Sequence, residues 1–314
     1  MKQTAPMLVC LAGILWGTMG IFVRQYNELG LGSMEIVAVR AVVTVVMLFV
    51  FLLIYNRKLL RIHIRDLWCF LGTGLCSILF FNFCYFKAIT MTSLSVAAVL
   101  LYTAPAIVMV LSRILFQEKL TWIKVLALAT TFLGCVLVTG VIGSDTQLSI
   151  GGILIGLGAG LGYALYSIFS RYALERGYHS FTISFYTFLI ASAGVMLYVI
   201  LNAFLPVLPS IQMGKAMLIC VKDGYMLGFT LLFGLVSTVL PYILYTIGLT
   251  AVENGKASII ASIEPVVATV LGVVLFHEKL TWNGILGILL VLGAIIMCNT
   301  KIKSQSIKCK KNMK

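Results

Sequence analysis

Ten apolar runs, joined by segments too short to form a soluble domain, leave this chain few ways to fold. They fall near residues 7–24, 33–55, 67–87, 94–116, 121–142, 151–170, 181–202, 225–249, 255–276 and 281–298. In hydrocarbon no water is present to satisfy backbone N–H and C=O groups, so such runs cross as helices that close their own hydrogen bonds. About twenty residues cover a core of ~30 Å. With 61% of residues hydrophobic and 11% charged, and a mean hydropathy of +1.08, polar surface is too scarce to close a soluble globule. The expectation is an all-α integral membrane protein of ten transmembrane helices. Only Lys2 precedes the first run and no small-residue cleavage site follows it, so it reads as a retained span rather than a secretory signal.

The chain is also duplicated. FQEKLTW at 116–122 returns as FHEKLTW at 276–282, and residues 105–126 and 265–286 agree at eleven of twenty-two positions. A second alignment, offset by 147, matches Ala12, Gly13, Ile21, Phe22 and Arg24 with Ala159, Gly160, Ile168, Phe169 and Arg171. Passing from an offset of 147 to one of 160 requires thirteen extra residues in the second half. The long segment 203–223, against 56–65 in the first half, supplies them. Five spans per copy is an odd number, so the copies are expected to face opposite ways across the bilayer, as two inverted five-helix repeats. The expected divisions are 1–143, 150–300 and a basic tail, 301–314.

Basic residues set the orientation. With the N-terminus cytoplasmic, one face collects sixteen: Lys2, Arg57, Lys58, Arg61, Arg65, Lys119, Lys124, Arg171, Arg176, Lys256, Lys301, Lys303, Lys308, Lys310, Lys311 and Lys314. The other has five, Arg24, Lys87, Lys215, Lys222 and Lys279, so both termini are expected in the cytoplasm. Topology then accounts for the net charge of +13, and no nucleic-acid partner is implied. The lysine tail reads as solvated or in contact with headgroups.

Several activities are excluded. No GxxxxGK[ST] loop occurs, and no loop has room for a nucleotide-binding domain, so the chain is not a self-contained ATP-driven pump. Ten acidic residues, mostly in loops, give no catalytic cluster, and an enzyme is not expected. The eight cysteines lie mostly inside spans without a CxxC pair, and His63, His179 and His277 are far apart. Neither a metal nor a cofactor is implied.

Trp16-Gly17 in the first span, Arg40 in the second, a proline in the middle of the fourth and ninth, Glu264 before the second of these, and the EKLT turn after each form a set. Over residues 7–300 this set resembles the EamA-type branch of the drug/metabolite transporter superfamily. The resemblance implies an inverted-repeat fold around a central cavity and export of amino acids or related small metabolites. One departure is Ala104 before the first-half proline, where the second half has Glu264.

Glu264 lies near the middle of a span, where an ionised carboxylate must be paired, protonated or facing water. It is a candidate to hold a substrate ammonium or a coupling proton, against the plainer reading of a buried hydrogen-bonded tie. The repeat sets Trp16 opposite Tyr163, Asn82 opposite Tyr242, Tyr85 opposite Tyr245, and Tyr102 opposite Ser262. Together with Tyr166 these polar-tipped side chains lie deeper than the headgroup belts that Trp and Tyr prefer. They are expected to wall one shared substrate cavity, with interhelix packing as the alternative. Arg40 has Thr187 as its counterpart; it is expected to pair with Glu35 or Glu264, or to contact a substrate carboxylate. Gly152, Gly156 and Gly160 form a stripe for close packing, at the seam between halves or at a dimer interface.

The function expected from these readings is a secondary carrier of the bacterial inner membrane, multi-pass, working as monomer or homodimer among membrane lipid. It would move a small-molecule substrate by alternating access. A passive channel or facilitator for small neutral solutes is the alternative.

Overall fold

The computed structural model describes residues 4–141, 149–204 and 212–311, and side chains up to residue 201 and from 212 to 298. The protein is 85% helix, and no strand occurs among the described residues. In chain order the main helices are α1 (Ala5–Glu28), α2 (Ser33–Tyr55), α3 (Ile64–Met91), α4 (Leu94–Leu115), α5 (Trp122–Val138), α6 (Ile150–Glu175), α7 (Ser180–Phe204), α8 (Gly224–Leu249), α9 (Asn254–Phe276) and α10 (Trp282–Lys311). A short helix, Met213–Cys220, lies between α7 and α8. The protein is a multi-pass membrane protein: among the described residues, eight helices, α1–α4 and α6–α9, are long and apolar enough to cross a bilayer. The exposed apolar side chains, such as Ile54 at 82%, then meet lipid rather than water.

The other two of the ten expected spans are shorter. α5 has only 17 residues, and the apolar part of α10 stops at Cys298. At 1.5 Å per residue a 17-residue helix reaches ~26 Å, at the short limit for crossing. The run 121–142 is trimmed because Thr121 accepts from Lys124 N–H at the start and Gly140, with φ 67°, ends the helix. Part of the junction, residues 142–148, and the last three residues of the tail lie outside the described residues.

Local chemistry recurs at a spacing of 160 residues. α4 breaks at Tyr102–Thr103 and α9 at Ser262–Ile263, each just before the proline, whose missing N–H opens the ladder. α3 carries a π-helical stretch at Gly72–Leu79 and α8 one at Leu235–Val239. Gln117 and His277 both adopt φ 55°, a left-handed conformation that costs a non-glycine residue roughly 1–2 kcal/mol. The turn folds the chain back at once, since Glu118 N–H reaches Ser112 C=O and Glu278 N–H reaches Gly272 C=O, both at 3.2 Å.

Packing follows the same duplication. α1 packs on α8 and α9, while α6 packs on α3 and α4; α2 lies against α7, and α5 against α10. Exchanging the halves turns the α1 contacts into those of α6 and returns the α2–α7 and α5–α10 pairs to themselves, and all of them join the first half to the second. The glycine stripe of α6 belongs to this seam, since a Cβ on Gly160 would sit 2.6 Å from Thr103 Oγ1 and 3.0 Å from Leu100 C=O. The stripe is therefore occupied within one chain.

Candidate functional site

The helix breaks converge on the middle of the molecule. α1 is interrupted at Thr18, whose hydroxyl donates to Leu15 C=O at 2.7 Å. Trp16, just before this break, meets Tyr242, Tyr245 and Tyr163 with ring centroids 5.2, 5.4 and 6.3 Å away. Tyr166 stands edge-on to Tyr242 at 4.9 Å. Two of the phenols are tied down: Tyr166 bonds Thr246 Oγ1 at 2.8 Å and Tyr245 bonds Ser167 Oγ at 2.7 Å. The cluster encloses a cavity of about 20 Å³ lined by Trp16, Ser77, Ile78, Phe81, Tyr163, Tyr166, Ser167, Tyr242 and Tyr245.

A second cavity, of about 10 Å³, shares Tyr163 and continues to Tyr102, Pro105, Ser258, Ser262 and Glu264. The proline breaks of α4 and α9 form its walls, which is why Tyr102 and Ser262, repeat equivalents, meet there. Tyr163 donates its hydroxyl to Glu264 at 3.4 Å, a long bond that leaves the carboxyl under-satisfied. Each cavity has room for roughly one water, so the molecule is closed around its centre.

Eight of the eleven expected site residues line these cavities: Trp16, Tyr102, Tyr163, Tyr166, Tyr242, Tyr245, Ser262 and Glu264. Asn82 does not. Its amide donates back to Ile78 C=O at 2.7 Å, at the carbonyl the π stretch loosens. Tyr85 is half-buried and stacks on Phe81, which occupies the wall instead. Arg40 pairs with neither expected partner: Glu35 accepts from the N–H groups of Gly32 and Gln212 at 2.7 and 2.8 Å, and Glu264 faces Tyr163.

Sequence reading missed a second constellation, at the two ends of the molecule. At one end Glu118 accepts from the N–H groups of Asn254 and Gly255 at 2.7 and 3.2 Å, capping α9. Arg171 donates to Leu249 C=O, Val252 C=O and Asn254 Oδ1 at 2.7, 2.9 and 3.2 Å, and lies 3.9 Å from Glu118. This loop packs at the Ala5 end of α1, where Gly248 approaches Val9 and Ala5. Lys124 pairs with Glu253 there, and Arg176 with Asp66 at 2.9 Å. Beside that pair Tyr178 donates to Asp66 at 2.7 Å, and burial raises its phenol above the ordinary value. At the opposite end of α1, Arg24 pairs with Glu278 at 2.6 Å and covers the Phe276 ring at 3.8 Å. Arg24 is the equivalent of Arg171, and Glu278 of Glu118. Their settings differ: Arg171 and Glu118 are 18% and 9% exposed, Arg24 and Glu278 47% and 52%. The signal was present in the sequence, because the two offsets already aligned the arginines with each other and the turn glutamates with each other.

The pattern of the EamA-like transporter family matches residues 3–140 and again 150–300. The chain belongs to the EamA-like transporter family. Among its relatives, the uncharacterized transporter YxxF of Bacillus subtilis (strain 168) is 28% identical over 94% of this chain and 89% of its own length. An uncharacterized transporter of Archaeoglobus fulgidus is 28% identical over 92% of this chain and 94% of its own. A solved crystal structure at 16% identity superposes with a TM-score of 0.78 over 97% of this chain and 99% of the other, so the two share a fold. A two-repeat EamA-like chain of membrane helices points to a transporter rather than an enzyme. Among the described residues no group of His, Cys, Asp or Glu is arranged to hold a metal.

Proposed function

We propose that this protein is a secondary active transporter that exports amino acids or related small metabolites across the bacterial inner membrane by alternating access. On this reading residues 1–143 and 150–300 are inverted five-span repeats, ten spans in all, residues 301–314 are a basic tail, and both termini are cytoplasmic. Trp16, Tyr102, Tyr163, Tyr166, Tyr242, Tyr245, Ser262 and Glu264 contact the substrate once the centre opens. Asn82 and Tyr85 stand behind them. A single chain carries the whole site, so the unit is complete as a monomer, whether or not two copies pair.

The observation that carries the reading is the pair of repeat-related ion pairs. Arg171–Glu118 and Arg24–Glu278 stand at opposite ends of α1, and exchanging the halves turns one into the other. One is half-buried and multiply bonded; the other is exposed and singly bonded. A carrier whose halves rock about a central site has one end sealed and the other loosely held, with the roles exchanged in its second state. Here the sealed end is the one the basic residues assign to the cytoplasm. Inversion is further supported by the turns at Gln117 and His277, alike in sequence and backbone, meeting opposite ends of α1.

Counterflow in proteoliposomes tests the reading. Vesicles holding the protein and an unlabelled amino-acid mixture should accumulate labelled external amino acid transiently above equilibrium, because a carrier exchanges one substrate for another. Uptake that follows the gradient without overshoot, and does not saturate, would mark a passive channel instead.

A further inference from the structure

We propose that Arg40 is the anion-binding residue of this carrier and that the transported substrate carries a carboxylate. The proposal rests on the transporter reading above and names the chemical class of its substrate.

Arg40 lies eight residues into α2 and is 4% exposed. A guanidinium so buried is costly unless an anion faces it, yet among the described residues none bonds to it. Nη1 rests on Met19 Sδ at 3.2 Å, a weak acceptor. Nε has no partner at all, and Nη2 makes no hydrogen bond. These two adjacent donors form the side of the guanidinium fork that takes a carboxylate in two parallel bonds.

The acidic side chains nearest by sequence or field are otherwise engaged. Glu35 caps α2 and holds Gln212, and Glu264 acts on Arg40 only across space. The other half shows what a structural occupant of this position looks like. There Thr187 bonds Thr73 Oγ1 at 2.7 Å, neutral and satisfied. The fold therefore does not need a charge at this point of the repeat. Glu264 is equally unmatched, with Ala104 as its equivalent and one 3.4 Å bond. Each half thus contributes one under-bonded charge of opposite sign.

The route to Arg40 is the break in α1. Met19 follows Thr18 directly, and Trp16 precedes it on the cavity wall. Bending α1 at Thr18 would withdraw Met19 Sδ and bring the open side of the guanidinium to the cavity.

Purified protein in detergent is tested by thermal shift against the twenty L-amino acids and, for each, its methyl ester, its decarboxylated amine and its des-amino acid. At least one free amino acid should bind, with the ester and amine weaker by 100-fold or more. Retention of the des-amino acid separates a carboxylate site alone from one that also requires the ammonium. Arg40→Gln should lose the preference for the carboxylate and bind acid and ester alike, while Arg40→Lys, keeping charge but not the fork, should fall in between. Arg40→Met, with no ligand added, should melt higher than wild type, because an unpaired buried charge is removed; a structural arginine would make it melt lower. Equal affinity of the wild type for acid and ester, an unchanged preference in Arg40→Gln, or no binding of any carboxylate would overturn the proposal. Counterflow would still succeed in the first two of these cases if the chain is a carrier of amino acids, whereas the third would abolish counterflow as well and remove both readings, so the failures are distinct.

Discussion

Replacing Glu118 by Gln should open the sealed end. The carboxylate accepts two backbone N–H bonds, at 2.7 and 3.2 Å, and sits beside Arg171, with 9% of its side chain exposed. Gln keeps one acceptor, turns a donor toward the second N–H, and removes the counter-charge of Arg171. Charge-assisted hydrogen bonds of this kind contribute about 1.5–3 kcal/mol, and so little exposure leaves little solvent screening. A loss of ~2 kcal/mol from the closed state alone multiplies its opening by ~30, at 1.4 kcal/mol per tenfold. Ser258, buried one turn inside this end and lining the Glu264 cavity, is the reporter. In a background without other cysteines, Ser258→Cys should react with an impermeant thiol reagent about 30 times faster in Glu118→Gln, in vesicles that expose the Glu118 end. Glu278→Gln removes an exposed pair of about 0–1 kcal/mol, so it should move the same rate by a few-fold at most, and downward. No acceleration in Glu118→Gln, or the same acceleration in both variants, would refute the assignment of the two pairs as opposing latches.

Glu264→Gln tests the central acid in proteoliposomes under a set pH gradient. If the carboxyl carries the coupling proton, net pH-driven transport should cease while exchange persists; if it holds an ammonium, KM should rise by one to two orders of magnitude, the equivalent of about 1.5–3 kcal/mol. Wild-type kinetics would leave Glu264 as a structural tie. Trp16→Ala and Tyr245→Ala should each lower transport at least tenfold, with the protein still folded in the membrane by size-exclusion profile, whereas lipid-facing Ile54→Ala should transport normally. Normal rates in both aromatic variants would place the substrate elsewhere.

The fold was largely legible because hydrocarbon permits so little. Apolar length alone delimits most helices, and Thr121, Ser149 and Asp223 mark where they begin by accepting the N–H three residues on. The shorter helix α5 was harder to judge, since a cap and a glycine shorten a run that hydropathy alone extends. At the centre, repeat alignment picked out residues that line the cavities as equivalent pairs, Trp16 with Tyr163 and Tyr102 with Ser262. Asn82 and Tyr85 lie outside that lining because Asn82 turns its amide back to Ile78 C=O and Tyr85 stacks on Phe81, side-chain contacts that no residue pattern announces. The end latches stayed hidden for another reason. Glu118 and Glu278 sit in turns whose repetition already had a structural explanation, and only coordinates show each one reaching the arginine of the other half.

Inversion of the two halves can be measured without knowing the substrate. A single cysteine is placed at Gln117 or at His277 in a chain otherwise free of cysteine, and an impermeant thiol reagent is added outside intact cells. Labelling at 277 and protection at 117, reversed when the inner face is presented instead, is the predicted result. Equal labelling of the two turns from the same side would contradict an alternating-access carrier built from inverted repeats.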